Sequence, residues 1–150
     1  MTTFKENHGS IFDSECEALL NPVNCIGVMG KGLALKFKKK FPKMFDAYFD
    51  ACSRKLLQIG RVFVWHDQED ACYVVCFPTK NHYNEPSEIS YIEQGLDDLC
   101  RFIQEKKIKS IAIPALGCGL GGLEWKKVSQ IIREKLEGID GLTVDIFPPK

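Results

Sequence analysis

Phe77-Pro-Thr-Lys80 closes an apolar, β-branched run that starts at Cys72 (CYVVCF). A lysine at the end of a buried strand lies where open α/β sheets bind their ligands. There a partly desolvated amine can act as a base or a nucleophile. The plain alternative is an exposed loop lysine. Two glycine-bearing segments belong to the same neighbourhood. Asn21 to Ala34 (NPVNCIGVMGKGLA) carries Gly27, Gly30 and Gly32, and Pro114 to Trp125 (PALGCGLGGLEW) carries Gly117, Gly119, Gly121 and Gly122. Each reads as a strand, a glycine loop and a helix start. Glycines let the backbone approach a phosphate and aim N–H groups at it, and a helix N-terminus adds partial positive charge. Asn24 offers a donor and an acceptor to a sugar hydroxyl. One such loop is equally well a flexible turn, but two in one α/β chain point to a diphosphate held between them.

Neither segment is a standard nucleotide motif. No GxxxxGK[ST] spacing is present. GCGLGG at 117–122 fits GxGxxG, but it lies far from a first βαβ unit, and no acidic ribose-binding residue ends the next strand: Asp145 lies inside it. Lys36, Lys38, Lys39, Lys40 and Lys43 form a basic cluster, either a solvated helix face or a contact for a phosphate backbone. Phe147, ahead of Pro148-Pro149, is either core or a stacking platform for a base. His8, His66 and His82 suggest no triad and are assigned to local structure. Cys25 and Cys118 have no base apparent in the sequence.

The 150 residues carry 20 Lys+Arg against 20 Asp+Glu, with 45% hydrophobic residues. That excludes a disordered chain, and the apolar runs are too short for a membrane span. Met1 to Ser10 is polar and has no signal-peptide character. The seven cysteines are odd in number and form no CxxC pair, which suits buried reduced thiols in the cytosol and gives no zinc spacing.

The elements that must position these residues follow from periodicity. Glu17 to Asn21 reads as a strand stopped by Pro22. A helix opens at Gly30-Lys31-Gly32 and runs to Phe41. A second helix spans Lys43 to Gln58, with Phe45, Phe49, Cys52 and Leu56 as its apolar face. Arg61 to Trp65 and Cys72 to Phe77 read as a strand pair. Ile89, Ile92, Leu96, Leu99 and Ile103 mark an amphipathic helix, and Ser110 to Pro114 a buried strand. Trp125 to Glu137 reads as the last helix, with Val128, Ile131, Ile132 and Leu136 inward, and Leu142 to Phe147 as the last strand. Alternation of this kind implies an α/β sheet with helices on both faces.

Taken in order, NPVNCIGVMGKGLALKFKKKFP, FPTK and PALGCGLGGLEW resemble a macrodomain. More narrowly they are similar to the branch that holds the DarG-type DNA ADP-ribosyl glycohydrolases and the terminal ADP-ribose protein glycohydrolases. The resemblance implies a single macrodomain over 1–150, a three-layer α/β/α sandwich on a six-stranded mixed sheet, with ADP-ribose bound over the strand ends. Lys80 matches the family's catalytic lysine, acting at the anomeric carbon of the distal ribose. Asn24 would face that ribose, with Thr79 beside it. Gly27, Met29, Gly30, Lys31 and Gly32 would line one side of the ligand, and Gly117, Cys118, Gly119, Leu120 and Gly121 the other. Ser10, Ile11 and Phe147 would meet the adenine.

Two departures matter. Many macrodomains carry Gly-Asp-Ile where this chain has Gly9-Ser10-Ile11, and the protein glycohydrolase has an acid where this chain has Gly121. The second tilts the implied target toward ADP-ribosylated DNA over protein. The implied enzyme is a cytoplasmic, monomeric hydrolase needing no cofactor or metal. A cognate ADP-ribosyltransferase is its implied partner, in an antitoxin-like role. An ADP-ribosyl-glutamate hydrolase, a phosphatase of ADP-ribose 1″-phosphate and a non-catalytic ADP-ribose reader share the same binding residues.

Overall fold

The computed structural model describes residues 1–69 and 71–150. The strands are β1 (Thr3–Glu6), β2 (Ala18–Asn24), β3 (Phe63–Asp67), β4 (Cys72–Lys80), β5 (Ser110–Ile113) and β6 (Thr143–Ile146). The helices are α1 (Gly32–Lys40), α2 (Pro42–Ser53), α3 (Ile89–Lys106) and α4 (Trp125–Leu136). The six strands form one sheet in the order β1-β6-β5-β2-β4-β3. Every neighbouring pair is parallel except β3 with β4. Among the described residues, no helix is long and apolar enough to cross a membrane.

The side-chain alternation of a strand sorts the core into two layers. Ala18 and Leu20 of β2, Val75 and Phe77 of β4, and Ile111 and Ile113 of β5 pack with α3 and α4 through Ile92, Leu96, Leu99, Val128 and Ile132. Leu19, Val23, Val74 and Ala112 occupy the opposite face and join Phe37 of α1 with Met44 and Tyr48 of α2. The result is the three-layer α/β/α arrangement on a mixed six-stranded sheet that the sequence implied.

The differences from the sequence reading are local. β1 lies in the polar N-terminal segment that showed no apolar run. It pairs with β6 from Thr3 to Glu6, and only Phe4 of its side chains packs against the core. β2 does not stop at Pro22 but continues to Asn24. Its ladder with β5 covers only Ala18 and Leu19. Pro22 therefore stands where β2 is paired on one side alone, as on an edge strand, and its missing N–H leaves no ladder bond unmade. β4 likewise runs through Pro78 to Lys80, opposite a register shift between Val23 and Asn24. α2 ends at Ser53 and buries Met44, Tyr48 and Ala51. Of the face expected from Phe45, Phe49, Cys52 and Leu56, Phe45 and Cys52 are partly buried against the same core, Phe49 is more than half exposed, and Leu56 lies beyond the helix. Both stripes are apolar at helical spacing. The buried one is selected because Tyr48 reaches a polar partner in the interior.

Gly95 brings α3 onto the sheet. A Cβ there would sit 2.3 Å from Phe77 Cζ and 2.7 Å from Cε1, so the helix rests directly on a buried ring. Alanine ordinarily favours a helix interior by about 0.5–1 kcal/mol over glycine. Here overpacking outweighs that gain, and Gly95→Ala is expected to destabilise by about 1–3 kcal/mol. Urea unfolding of the variant checks the sign.

Candidate functional site

The chain leaves β2 for β4 on one side and returns through α3 to β5 on the other. The β2–β5 boundary is thus the point where strand order reverses, and in open α/β sheets the crevice at the carboxyl ends of such strands binds ligands. Both glycine loops sit there, one following β2 and the other following β5.

Asn24 organises the first loop. Its Oδ1 accepts from Ile26 N at 3.1 Å, Val28 N at 3.3 Å and Tyr48 Oη at 2.9 Å, and its Nδ2 donates to Val28 O at 2.7 Å. The Tyr48 hydroxyl also lies 2.7 Å from Asn24 O, and burial pushes its ionisation well above the usual tyrosine range. With Oδ1 saturated, one amide N–H of Asn24 remains for a ligand. Tyr48 escaped the sequence reading because it looked like one more apolar helix residue. The loop leads into α1, whose cap residue Lys31 makes no side-chain capping bond and whose first turn has no acid. The opening N–H groups of a helix have no intrahelical acceptor, so they are donors suited to an anion.

Lys80 is the register partner of Asn24 on the adjacent strand. Its Nζ donates to Tyr83 O and to Leu120 O, each at 3.2 Å. Two N–H bonds suffice for these carbonyls in either protonation state. The third tetrahedral position then carries a proton in the ammonium or a lone pair in the amine. The lysine ties the loop after β4 to the second glycine loop, and Cys25 N ties the first loop to the loop after β4 through Asn81 O at 3.2 Å. Across the mouth, a Cβ on Gly32 would lie 3.9 Å from Leu120 Cδ1, so the two glycine loops nearly meet.

Steric fit fixes the second loop. Gly117 has φ +72°, and a Cβ there would lie 2.6 Å from Leu123 Cδ1. Gly121 is held differently: a Cβ would lie 2.5 Å from Ser87 Oγ, while Gly121 O accepts from Ser87 N at 3.0 Å. Ser87 thus fills the space a side chain at 121 would need. Its buried hydroxyl has no partner in the structure.

The remaining expected ligand residues divide by exposure. Lys31, Gly30 and Gly32 are exposed beside the cleft, as are Gly119 and Leu120. Thr79 is buried at the end of β4. Gly27 has φ +93° with Phe49 Cδ1 3.1 Å from a Cβ position, so it serves loop shape. Met29 is 1% exposed and its Sδ accepts from Asn21 Nδ2 at 3.8 Å, which leaves only its main chain for a ligand. Ser10 Oγ caps the 3₁₀ turn Ile11–Asp13 by accepting from Phe12 N at 3.2 Å. Ile11 and Phe147 are buried in the apolar layer on the α1–α2 side, and Phe147 at 7% exposure offers little free ring for stacking. The cysteines near the loops are poor nucleophiles: burial pushes the Cys25 thiol up to about 11 and raises that of Cys118. Among the described residues no cluster of His, Cys, Asp and Glu could hold a metal ion.

The signature of the Macro domain family matches residues 20–132. A DNA ADP-ribosyl glycohydrolase of Thermus aquaticus is 48% identical over 143 residues, covering 94% of this chain and 40% of that protein. The DNA ADP-ribosyl glycohydrolase of Mycobacterium tuberculosis is 43% identical, covering 94% and 41%. The chain thus spans about two-fifths of the length of these curated relatives. Among solved structures, the macrodomain of Mycobacterium tuberculosis DarG superposes with TM-score 0.97 at 42% identity, covering 100% of both chains. Thermosipho africanus DarTG in complex with ADP-ribose superposes with TM-score 0.92 at 37% identity, covering 98% of this chain and 42% of that one.

The contact between Gly121 and Ser87 is open to test. Gly121→Ala is expected to destabilise by about 1–3 kcal/mol through overpacking. Gly121→Ala combined with Ser87→Gly should recover much of that loss, because the colliding side chain is gone. Denaturant unfolding of the two single variants and the double variant measures this coupling.

Proposed function

The chain belongs to the macrodomain family, and from that premise we propose that it is an ADP-ribosyl glycohydrolase that removes ADP-ribose from a modified DNA base. The observation that carries this reading is Lys80. Its amine sits at the end of the central strand pair beside Asn24, held on two carbonyls and flanked by both glycine loops. The first-turn N–H groups of α1 and the second glycine loop take the diphosphate. The free amide N–H of Asn24 takes a hydroxyl of the distal ribose, and the anomeric carbon meets the third position on Lys80 Nζ. In a covalent route the Nζ lone pair bonds that carbon as the carbon–nitrogen bond to the base breaks, and the base departs with the electron pair and collects a proton. Water then displaces the lysine. In an electrostatic route the ammonium stabilises negative charge beside the same carbon while water attacks. A non-catalytic reader has no use for an amine placed in this way.

The DNA target is supported by the two relatives named DNA ADP-ribosyl glycohydrolases and by the charge of the segment leaving the first loop. Residues 31–43 hold six lysines and no acid in a chain of net charge zero. A 36% identical relative from Thermosipho africanus is a fusion of a DNA ADP-ribosyl transferase with a DNA ADP-ribosyl glycohydrolase. That supports a transferase as partner and an antitoxin-like role. We take the 150 residues as one macrodomain acting as a monomer in the cytoplasm, in keeping with seven free cysteines.

Turnover of an ADP-ribosylated oligonucleotide, an ADP-ribosylated glutamate peptide and ADP-ribose 1″-phosphate tests the target class. The oligonucleotide should be released fastest, with a rate that falls steeply between 50 and 200 mM salt while ADP-ribose affinity changes less. Faster release from glutamate, or a salt-independent rate, overturns the DNA assignment. Lys80→Ala should cut the rate by roughly two to four orders of magnitude and weaken ADP-ribose binding far less. Lys80→Arg keeps the cation but not a nucleophile, so activity in that variant would select the electrostatic route.

A further inference from the structure

The large apolar residues that remain exposed are unevenly placed. Met1 and Leu56 lie elsewhere and Phe49 packs beside Gly27, while Ile26, Val28, Tyr83 and Leu120 all stand on the loops that bracket Lys80. Tyr83 and Leu120 are 54% and 71% exposed, and their carbonyls are the two that hold Lys80 Nζ. Their carbonyl oxygens therefore stand within two hydrogen-bond lengths of each other across the amine. Tyr83 is also supported from beneath. The His82 ring lies 4.4 Å from it, centroid to centroid, at 39°. His82 Nδ1 accepts from Asn84 N at 3.3 Å, and Glu85 N closes the turn on His82 O at 3.1 Å. Asn81 fastens the segment to the first glycine loop through Cys25 N. An aromatic ring on a loop fixed at this many points is preorganised and loses little entropy when something stacks on it.

We propose that Tyr83, backed by His82 on the loop whose carbonyl holds Lys80, is the stacking site for the neutral nucleobase bonded to the anomeric carbon. This rests on the hydrolase reading above, which puts that carbon at Lys80 Nζ and its leaving group beside the loops that bracket the amine. The local charge selects the kind of leaving group. Glu85 and Glu88 are exposed on the same loop, and Glu88 Oε2 accepts from Tyr91 Oη at 2.7 Å. Carboxylates there repel a departing glutamate and leave a neutral, planar base unpenalised. They also turn a bound strand away from that side. The opposite side leads past Leu120 to Gly32 and the lysines of α1, where a phosphate backbone is attracted.

The test uses the intact chain and an uncleavable probe: ADP-ribose whose anomeric carbon bears a pyrimidine through a carbon–carbon bond, in each anomeric form. The wild-type protein should bind one anomer roughly 5- to 150-fold more tightly than ADP-ribose, the range of a single base–aromatic stack. Tyr83→Ala should abolish that advantage and leave the Kd of ADP-ribose within about twofold, and Tyr83→Phe should retain it. Unchanged thermal unfolding of the alanine variant confirms that its fold is intact. A probe that binds no better than ADP-ribose in either anomer overturns the proposal, as does an advantage that survives Tyr83→Ala. A Tyr83-dependent advantage in a protein that fails to release modified DNA would keep the stacking site and overturn the hydrolase reading instead.

Discussion

After Leu19, β2 has no hydrogen-bonded neighbour on the β5 side, and the site depends on that parting. β5 ends at Ile113, whereas β2 runs on to Asn24. β2 can then carry Pro22 without losing a ladder bond, and β4, its remaining neighbour, carries Pro78 opposite a register shift. The difference in length frees the carboxyl end of β2 on that side, at the point where the chain reverses direction across the sheet. Both glycine loops start there. Without that difference, Asn24 and Lys80 would end two ordinary strands under a closed sheet.

The crevice is held by polar groups that bind loops to one another more than to the sheet. Asn24 uses three acceptor contacts and one donor to shape the turn that follows it, and Tyr48 supplies one of those contacts from α2. Lys80 joins two further loops through their carbonyls. A buried hydrogen bond such as that from Tyr48 to Asn24 is worth about 0.5–1.5 kcal/mol in stability, but an unmade one costs more. Loss of one partner would therefore move several loops together. Burial raises the thiols of Cys25 and Cys118, whereas Lys80 Nζ is held on two carbonyl acceptors.

Charge is arranged on a larger scale. The chain is neutral overall, yet its six lysines between 31 and 43 lie beyond the helix N-terminus that faces the crevice. The rest of the molecule is net acidic by the same amount. Glu85 and Glu88 place part of that acidity on the other side of the mouth.

The sequence alone was enough to show the alternation of strands and helices, the two glycine loops and the lysine at the end of a buried run. Each is a local pattern of apolar period or glycine content. It also carried the macrodomain resemblance, because the three motifs that make it are contiguous stretches. It did not show β1, whose side chains have no apolar pattern and which is held by backbone pairing with residues at the other end of the chain. Nor could it choose between the two apolar stripes of α2, since only the folded packing reveals that Tyr48 meets Asn24. Ser87 against Gly121, and Tyr83 and Leu120 on either side of Lys80, join residues far apart in the chain. Periodicity reports which residues seek the interior, whereas contacts between separate loops follow from where neighbouring strands end in the sheet, and only the tertiary structure decides that.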